Sequence, residues 1–307
     1  MTSGGESLVL GCNEQMEEAI RKAEALIEAL PYIRAFKDRV IVIKLGGSAL
    51  AELNILQEFL EDVIFMKTAG MRPVLVHGGG PHISREMTRR GKQPQFIQGH
   101  RVTDTETLEV VVDVLVNQVN ATILKELERL GDEGANLWRH GKPPLEAEKY
   151  MPADGSGTLL DLGCVGELTS VDVKAFLVAC KEGKVPVIPP LARHRRGKGL
   201  LNVNADSVAS FLAVALKAEK LVFLSNTHGI MLDPEREDST VSSLSRKEVD
   251  SLIHREVITG GMLPKARACL KALEGGVKKA HIIDGRLPHS LLLEIFTHKG
   301  VGTQIVL

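Results

Sequence analysis

Long apolar runs are missing from this sequence. Nothing approaches eighteen consecutive apolar residues, and the start, MTSGGESLVLGCNEQ, has no basic region leading into an apolar core. The chain is therefore expected to be soluble, unexported and cytoplasmic, with no membrane partner. Cysteine is sparse: Cys12, Cys164, Cys180 and Cys269 are scattered without a CxxC pair. That pattern indicates neither a metal cage nor a disulfide framework, and it fits a reduced compartment. A charge excess is absent too, since 38 basic residues face 39 acidic ones for a net charge of -1. Such a chain has no global field to draw nucleic acid, so partners must be recognised locally. Several catalytic fingerprints also fail. HGGGPHI lacks the GxGxxG spacing of a dinucleotide fold, and no GxxxxGK[ST], HExxH or GxSxG occurs. No His/Cys cluster has ligand spacing, so a metal is expected to arrive with a nucleotide rather than on protein ligands.

What is present is a chain of 307 residues, 44% apolar, long enough for two lobes with a sizeable core. After a Gly/Ser-rich tail, Met16, Ile20, Ala23, Ile27 and Leu30 recur at spacings of three and four. This predicts an amphipathic helix over residues 13 to 30, whose stripe can dock on its own lobe or on another subunit. From residue 40 short apolar runs alternate with helical segments: VIVIKL, a helix near 54 to 69, PVLVHGGG and a short helix from Pro81. That rhythm predicts βαβ units and a mainly parallel sheet. Thr103 with Glu106 reads as a capping box for a helix running to Leu130, with Gly131 as its stop. Residues 132 to 163 lack periodicity and read as loop or hairpin. Order returns with CVGELTSVDV, a helix opened by Asp172, and KVPVIPPL, a strand ending near Ile188. HRRGKG reads as a turn before LLNVNADSVASFLAVAL, and the lobe boundary is placed near residue 195. A second βα series follows through KLVFLSNTHG, a helix from Ser245, GGMLPKARACLKALEGG and AHIIDGRLPHSLLLEIF, with TQIVL as a closing strand.

Four stretches combine polarity with apolar surroundings. Lys44, Gly46 and Gly47 end one strand run, and His77 to Gly80 end another. Ligands of open α/β sheets collect at such strand ends, where glycines permit close backbone approach and helix N-termini can cradle an anion. A plain glycine turn with a solvent-seeking lysine is the alternative. In LNVNAD, Asn202 and Asn204 share a strand face while Asp206 either caps the next helix or serves a site. In TGGMLPKARACL, Lys265 sits early in a helix, where a cation opposes the dipole. Either a nearby anion holds it there or it is an exposed surface lysine.

Together these residues resemble the amino-acid kinase family. IKLGG, LVHGGGP, GHRVTDTETLEVV, DLGCVGE, LNVNAD, ITGGMLPKA, IIDGR, HSLLLEIF and GTQI fall in the family's order over most of the chain from residue 40. The resemblance implies an open three-layer αβα sandwich around a mainly parallel sheet, with an N-terminal extension helix. It divides the chain into a tail and oligomerisation helix (1–33), an amino-acid substrate lobe (34–195) and a nucleotide-binding lobe (196–307). The implied activity is transfer of the γ-phosphoryl group of ATP, with Mg, to the side-chain carboxylate of N-acetyl-L-glutamate in arginine biosynthesis. By the family motif Lys44 and Lys265 flank the transferring group and Asp206 organises both lysines. Gly79 and Gly80 offer backbone donors to the substrate, Arg101 pairs with its α-carboxylate, and Asn202 holds its acetamido side. Gly46, Gly47, Asn226, Gly229, Met231, Gly261 and Met262 line the nucleotide. The helix ending in ALPYI resembles the extension of arginine-sensitive members, which implies a dimer or a ring hexamer of three dimers. It also makes Tyr32, Glu294 and Gly300 candidates for an arginine effector site. Two departures stand out: Asn226 occupies a position where the family often has aspartate, and no GxSGxDG segment occurs between residues 131 and 160. They leave open a kinase acting on another carboxylate or acyl amino acid, or a non-catalytic effector-binding relative.

Overall fold

The computed structural model describes residues 5–47, 50, 52–138, 143–233, 236–297 and 300–307. The expectations for the extreme N-terminal tail and for residues 139–142 lie outside them. β-branched residues fill the central strand Val40–Leu45, every residue of which is buried. It pairs in parallel with Arg72–His77 on one side and with Lys220–Ser225 on the other. The full sheet runs Ser243–Ser245, Thr303–Val306, Lys279–Asp284, Lys220–Ser225, Val40–Leu45, Arg72–His77, Val185–Ile188, Gly134–Asn136. Its one antiparallel pairing joins Lys279–Asp284 to Thr303–Val306.

Strand alternation sends Val40 and Val42 into one core cluster and Ile41, Ile43 and Leu45 into another, on opposite faces. The first cluster takes in the helix Ala205–Ala215 through Val208 and Leu212; the second takes in Leu53–Thr68 and Ser290–Phe296 through Leu60, Val63 and Leu291. The result is the expected three-layer αβα sandwich.

Several local expectations are corrected. The long helix is capped by Asp104, whose carboxylate accepts from Thr107 N at 2.8 Å, while Thr103 is buried in a bridge to Gly163. A carboxylate reaches the N-terminal amides as well as a hydroxyl does, so the register shifts by one. That helix carries a π-helical stretch, Asp113–Asn120, between Thr105–Val112 and Ala121–Arg129. By length and composition it could cross a membrane, yet Val111, Val114, Ile123 and Leu127 are buried in the core. Residues 132 to 163 hold two strands, Gly134–Asn136 and Leu145–Lys149. The latter joins Val165–Val171, Leu191–His194 and Leu200–Val203 in a small closed barrel that the αβα pattern did not announce. The expected lobe boundary at 195 falls in the turn between the last two of these strands. The N-terminal helix spans Gly5–Phe36, longer than expected. Its last turns dock through Ala29, Tyr32, Ile33 and Phe36, while Met16, Ile20, Leu26 and Ile27 are at least half exposed.

Candidate active site

Lys44 shares a strand face with Val40 and Val42, so it points at the helix Ala205–Ala215 rather than into solvent. Its Nζ lies 2.9 Å from Asp206 Oδ1, an ion pair rather than an aligned hydrogen bond. Lys265 Nζ donates to Asp206 Oδ2 at 3.3 Å and to Gly261 O at 3.2 Å. One carboxylate thus holds two ammonium groups from two different elements. Asp206 does not cap its helix. That task falls to Asn204, whose side chain accepts from Asp206 N and Ser207 N, leaving the Asp206 carboxylate for the lysines. Burial by itself raises the Asp206 carboxyl, but the lysine charges outweigh it and hold the group below the usual carboxylate range. The same carboxylate offsets the unfavourable dipole position of Lys265 in the first turn of Met262–Glu274.

Lys44, Gly79, Gly80, Arg101, Asn202 and Asp206 line one cavity of about 280 Å³, with Gly47 beside them. Gly79 and Gly80 begin the helix Gly80–Arg89 at the carboxyl end of Arg72–His77. A side chain at Gly79 would meet Leu115 at 2.5 Å, whereas nothing lies within 4 Å of one at Gly80. His77 below them is pushed down to about 4 by burial and contributes no charge at neutral pH. Arg101 is carried by a two-residue hairpin, Phe96–Ile97 with His100–Arg101, whose turn residues Gln98 and Gly99 both have positive φ. The residue is 7% exposed, and its guanidinium bonds to Gly80 O, Ser84 Oγ and Met87 Sδ, with the Phe96 ring 4.7 Å away. Among the described residues it has no carboxylate partner, and burial lowers its pKa. A buried cation without a counter-ion is costly, and an anion in this cavity would offset that cost. Asn202 donates from Nδ2 to Thr103 Oγ1 at 3.2 Å.

Of the nucleotide candidates, Gly47 lines this cavity and the others do not. Asn226, Gly229 and Met231 follow the strand Lys220–Ser225, and Gly261 and Met262 open the helix of Lys265, all at the carboxyl end of the sheet. Packing accounts for two glycines: at Gly46 a Cβ would meet Leu224 O at 2.4 Å, and Gly229, at φ +133, abuts Thr303. Among the described residues no three acidic, histidine or cysteine side chains cluster as metal ligands.

Tyr32, Glu294 and Gly300 come together in a second cavity of about 760 Å³. Glu294 is buried, sits 2.6 Å from His281 Nδ1 and accepts from Val301 N. Burial raises its carboxyl, but the bond to His281 prevails and holds it below the ordinary range. Lys220, pushed down to about 8 by burial, lies over the Phe36 ring at 5.0 Å. Lys220 and His281 were missed in the sequence. Their signal was the one that exposed Lys44, a basic residue within a strand built for burial.

The sequence from 39 to 284 matches the profile of the amino acid kinase family. It is 47% identical to an acetylglutamate kinase of Moorella thermoacetica, covering 94% of this chain and 98% of that protein. It is 44% identical to another of Methanothrix thermoacetophila, covering 93% and 99%. Among solved structures it resembles an N-acetylglutamate synthase from Neisseria gonorrhoeae, complexed with coenzyme A and L-arginine, at a TM-score of 0.79 and 27% identity. That likeness covers 92% of this chain and spans 65% of the synthase chain. The chain belongs to the amino acid kinase family and stands among its acetylglutamate kinases.

Proposed function

We propose that the two lysines bridged by Asp206 are the phosphoryl-transfer centre of an ATP-dependent kinase acting on N-acetyl-L-glutamate. Lys44–Asp206–Lys265 is the observation that carries this reading. Phosphoryl transfer between oxygen anions needs alignment and charge neutralisation rather than covalent help. An acceptor carboxylate oxygen bonds to the γ-phosphorus as the bond to the ADP oxygen breaks. The ammonium groups of Lys44 and Lys265 neutralise the charge spread over the oxygens in between, and Asp206 fixes their separation. Mg, travelling with the ATP phosphates, supplies further positive charge there. Arg101 grips the acceptor's α-carboxylate, which suits its planar fork and its missing counter-ion. Gly79 and Gly80 donate backbone N–H groups, and Asn202 takes the acetamido side. Asn226, Gly229, Met231, Gly261 and Met262, with Gly46 and Gly47, serve the nucleotide. On this reading residues 34–195 handle the acyl amino acid and 196–307 the nucleotide.

The second cavity supports an arginine effector site at Tyr32, Glu294 and Gly300, with Glu294 offering a buried carboxylate to a guanidinium. A structural relative solved with L-arginine bound favours the same reading. The uncovered stripe of the N-terminal helix supports assembly into dimers joined as a hexamer, in a cytoplasmic setting. The deciding experiment is an ADP-release assay with ATP, Mg and N-acetyl-L-glutamate, with and without arginine. Turnover that arginine suppresses is expected. No ADP above the acceptor-free control overturns the kinase reading, and unsuppressed turnover overturns the effector reading.

A further inference from the structure

A third cavity, of about 610 Å³, backs onto the acceptor site and is lined by none of Lys44, Asp206 and Lys265. It shares Gly99, His100 and Asn204 with that site as a common wall. Its other wall is the outer face of two helices, Ala205–Ala215 and Met262–Glu274. Ser207 and Ser210 come from the first, Arg267 and Lys271 from the second, each pair one helical turn apart on a common face.

Three features of this wall lack a structural purpose. Arg267 is exposed and has neither an ion pair nor a hydrogen bond among the described residues. Lys271 meets Glu167 at 3.7 Å, but both side chains are about two-thirds exposed, at 66% and 62%, so that pair is weak and readily given up. Ser210 is 1% exposed, and its Oγ has no hydrogen-bond partner. A mid-helix serine ordinarily turns to water or to the carbonyl one turn back. A buried hydroxyl that does neither is a donor held in reserve. Among the described residues no acidic side chain lines the cavity.

We propose that this cavity is a second anion site, taking a small, multiply charged oxyanion on Arg267, Lys271 and the Ser210 hydroxyl. Arginine's fork and an adjacent ammonium group suit such a ligand, and the volume fits a metabolite rather than a protein segment. Its occupant would join the hairpin that carries Arg101 to the helices that carry Asp206 and Lys265. Occupancy of the cavity therefore holds the hairpin against the opposite wall and acts on acceptor binding from behind.

Pyrophosphate, titrated calorimetrically without nucleotide, metal or acceptor, tests this independently of any kinase activity. The titration uses the Lys265→Ala chain, in which phosphate binding at the transfer centre is crippled. One binding event is expected, weakened at least about tenfold by adding Arg267→Ala or Ser210→Ala. Ser210→Ala should leave the melting temperature unchanged or raised, because the hydroxyl it removes has no partner. Amide exchange across residues 96–101 should slow when pyrophosphate is added to the Lys265→Ala chain. Absence of binding, or binding indifferent to both substitutions, overturns the site. Unchanged exchange at the hairpin overturns its coupling to the acceptor cavity.

Discussion

Charge placement decides what single residues do in this protein. Lys265 is half of a cation pair held by one carboxylate, so its loss removes a charge donor without opening the core. Lys265→Ala is expected to fold normally and to lower kcat at least about a hundredfold, the equivalent of roughly 3 kcal/mol of transition-state stabilisation. A steady-state assay with unchanged kcat would remove Lys265 from the mechanism. Arg101 gives the complementary case. Its guanidinium packs against Phe96 and Met87 but neutralises no carboxylate among the described residues. Arg101→Met keeps most of that packing and deletes a buried charge, so the melting temperature should hold or rise. The KM for N-acetyl-L-glutamate should climb by about tenfold or more, since a charge-assisted pair is lost. A lowered melting temperature with an unchanged KM would make Arg101 a structural residue.

At the scale of elements, Asp62 and His289 tie the helix Leu53–Thr68 to the start of Ser290–Phe296 through a 2.7 Å contact. Burial, the larger influence, raises the Asp62 carboxyl from 3.8 to about 6 although His289 pulls the other way. Between those values the folded protein keeps a proton that the unfolded chain has released, so this contribution to stability falls as pH rises through that window. His289 has the same sign. The bond to Asp62 raises its pKa, so its contribution is whole below the ordinary imidazole value and fades as pH climbs through the raised one. Glu58 and Glu61 lie close enough to reinforce this. Asp62→Asn should therefore flatten the decline in denaturation midpoint between about pH 4 and 6. Parallel pH profiles for the two proteins would show that the pair carries no linkage.

Elements also differ in how far the sequence reveals them. VIVIKL, KLVFLS and the helix start at Ser245 were legible because burial and helix opening leave residue-level marks; the capping box of Ser245 with Glu248 emerges only in the structure. The strand Leu145–Lys149 was not legible: its sequence, LEAEK, alternates charge with small apolar residues, and its ladder comes from distant barrel partners. The hairpin of Arg101 went unread because its strands are two residues long, although Gln98-Gly99 is a fair turn signal. The sequence leaves Asp206 open as a cap; in the structure the cap is Asn204, which takes the amides of Asp206 and Ser207, and Asp206 sits in the first turn with its carboxylate free for the lysines.

Across the whole molecule the acceptor cavity and the cavity of Glu294 sit at opposite ends of the same sheet, one at the carboxyl and one at the amino ends of its strands. Lys44 is next to last in its strand, on the carboxyl side, whereas Lys220 opens its strand at the amino side. The N-terminal helix reaches the second cavity through Tyr32 and Phe36, so what that helix docks against is mechanically close to the effector candidates. Deleting residues 1–30 leaves both aromatic residues in the chain and removes the exposed stripe. Light scattering should then report dimers in place of larger assemblies, and arginine should inhibit less. Unchanged particle size with intact inhibition would sever the helix from both roles.

On the proposed division near residue 195, the strand that carries Lys44 lies at the seam, bonded to Arg72–His77 on one flank and to Lys220–Ser225 on the other. A protease nick in the turn after His194 would leave that seam zipped, because the pairing does not depend on chain continuity there. Full separation would be another matter: it would strip Lys44 from Asp206 and bare the wholly buried edge of Lys220–Ser225, a ready template for self-association. Catalytic competence and colloidal solubility should thus be lost together, at one and the same event of unzipping.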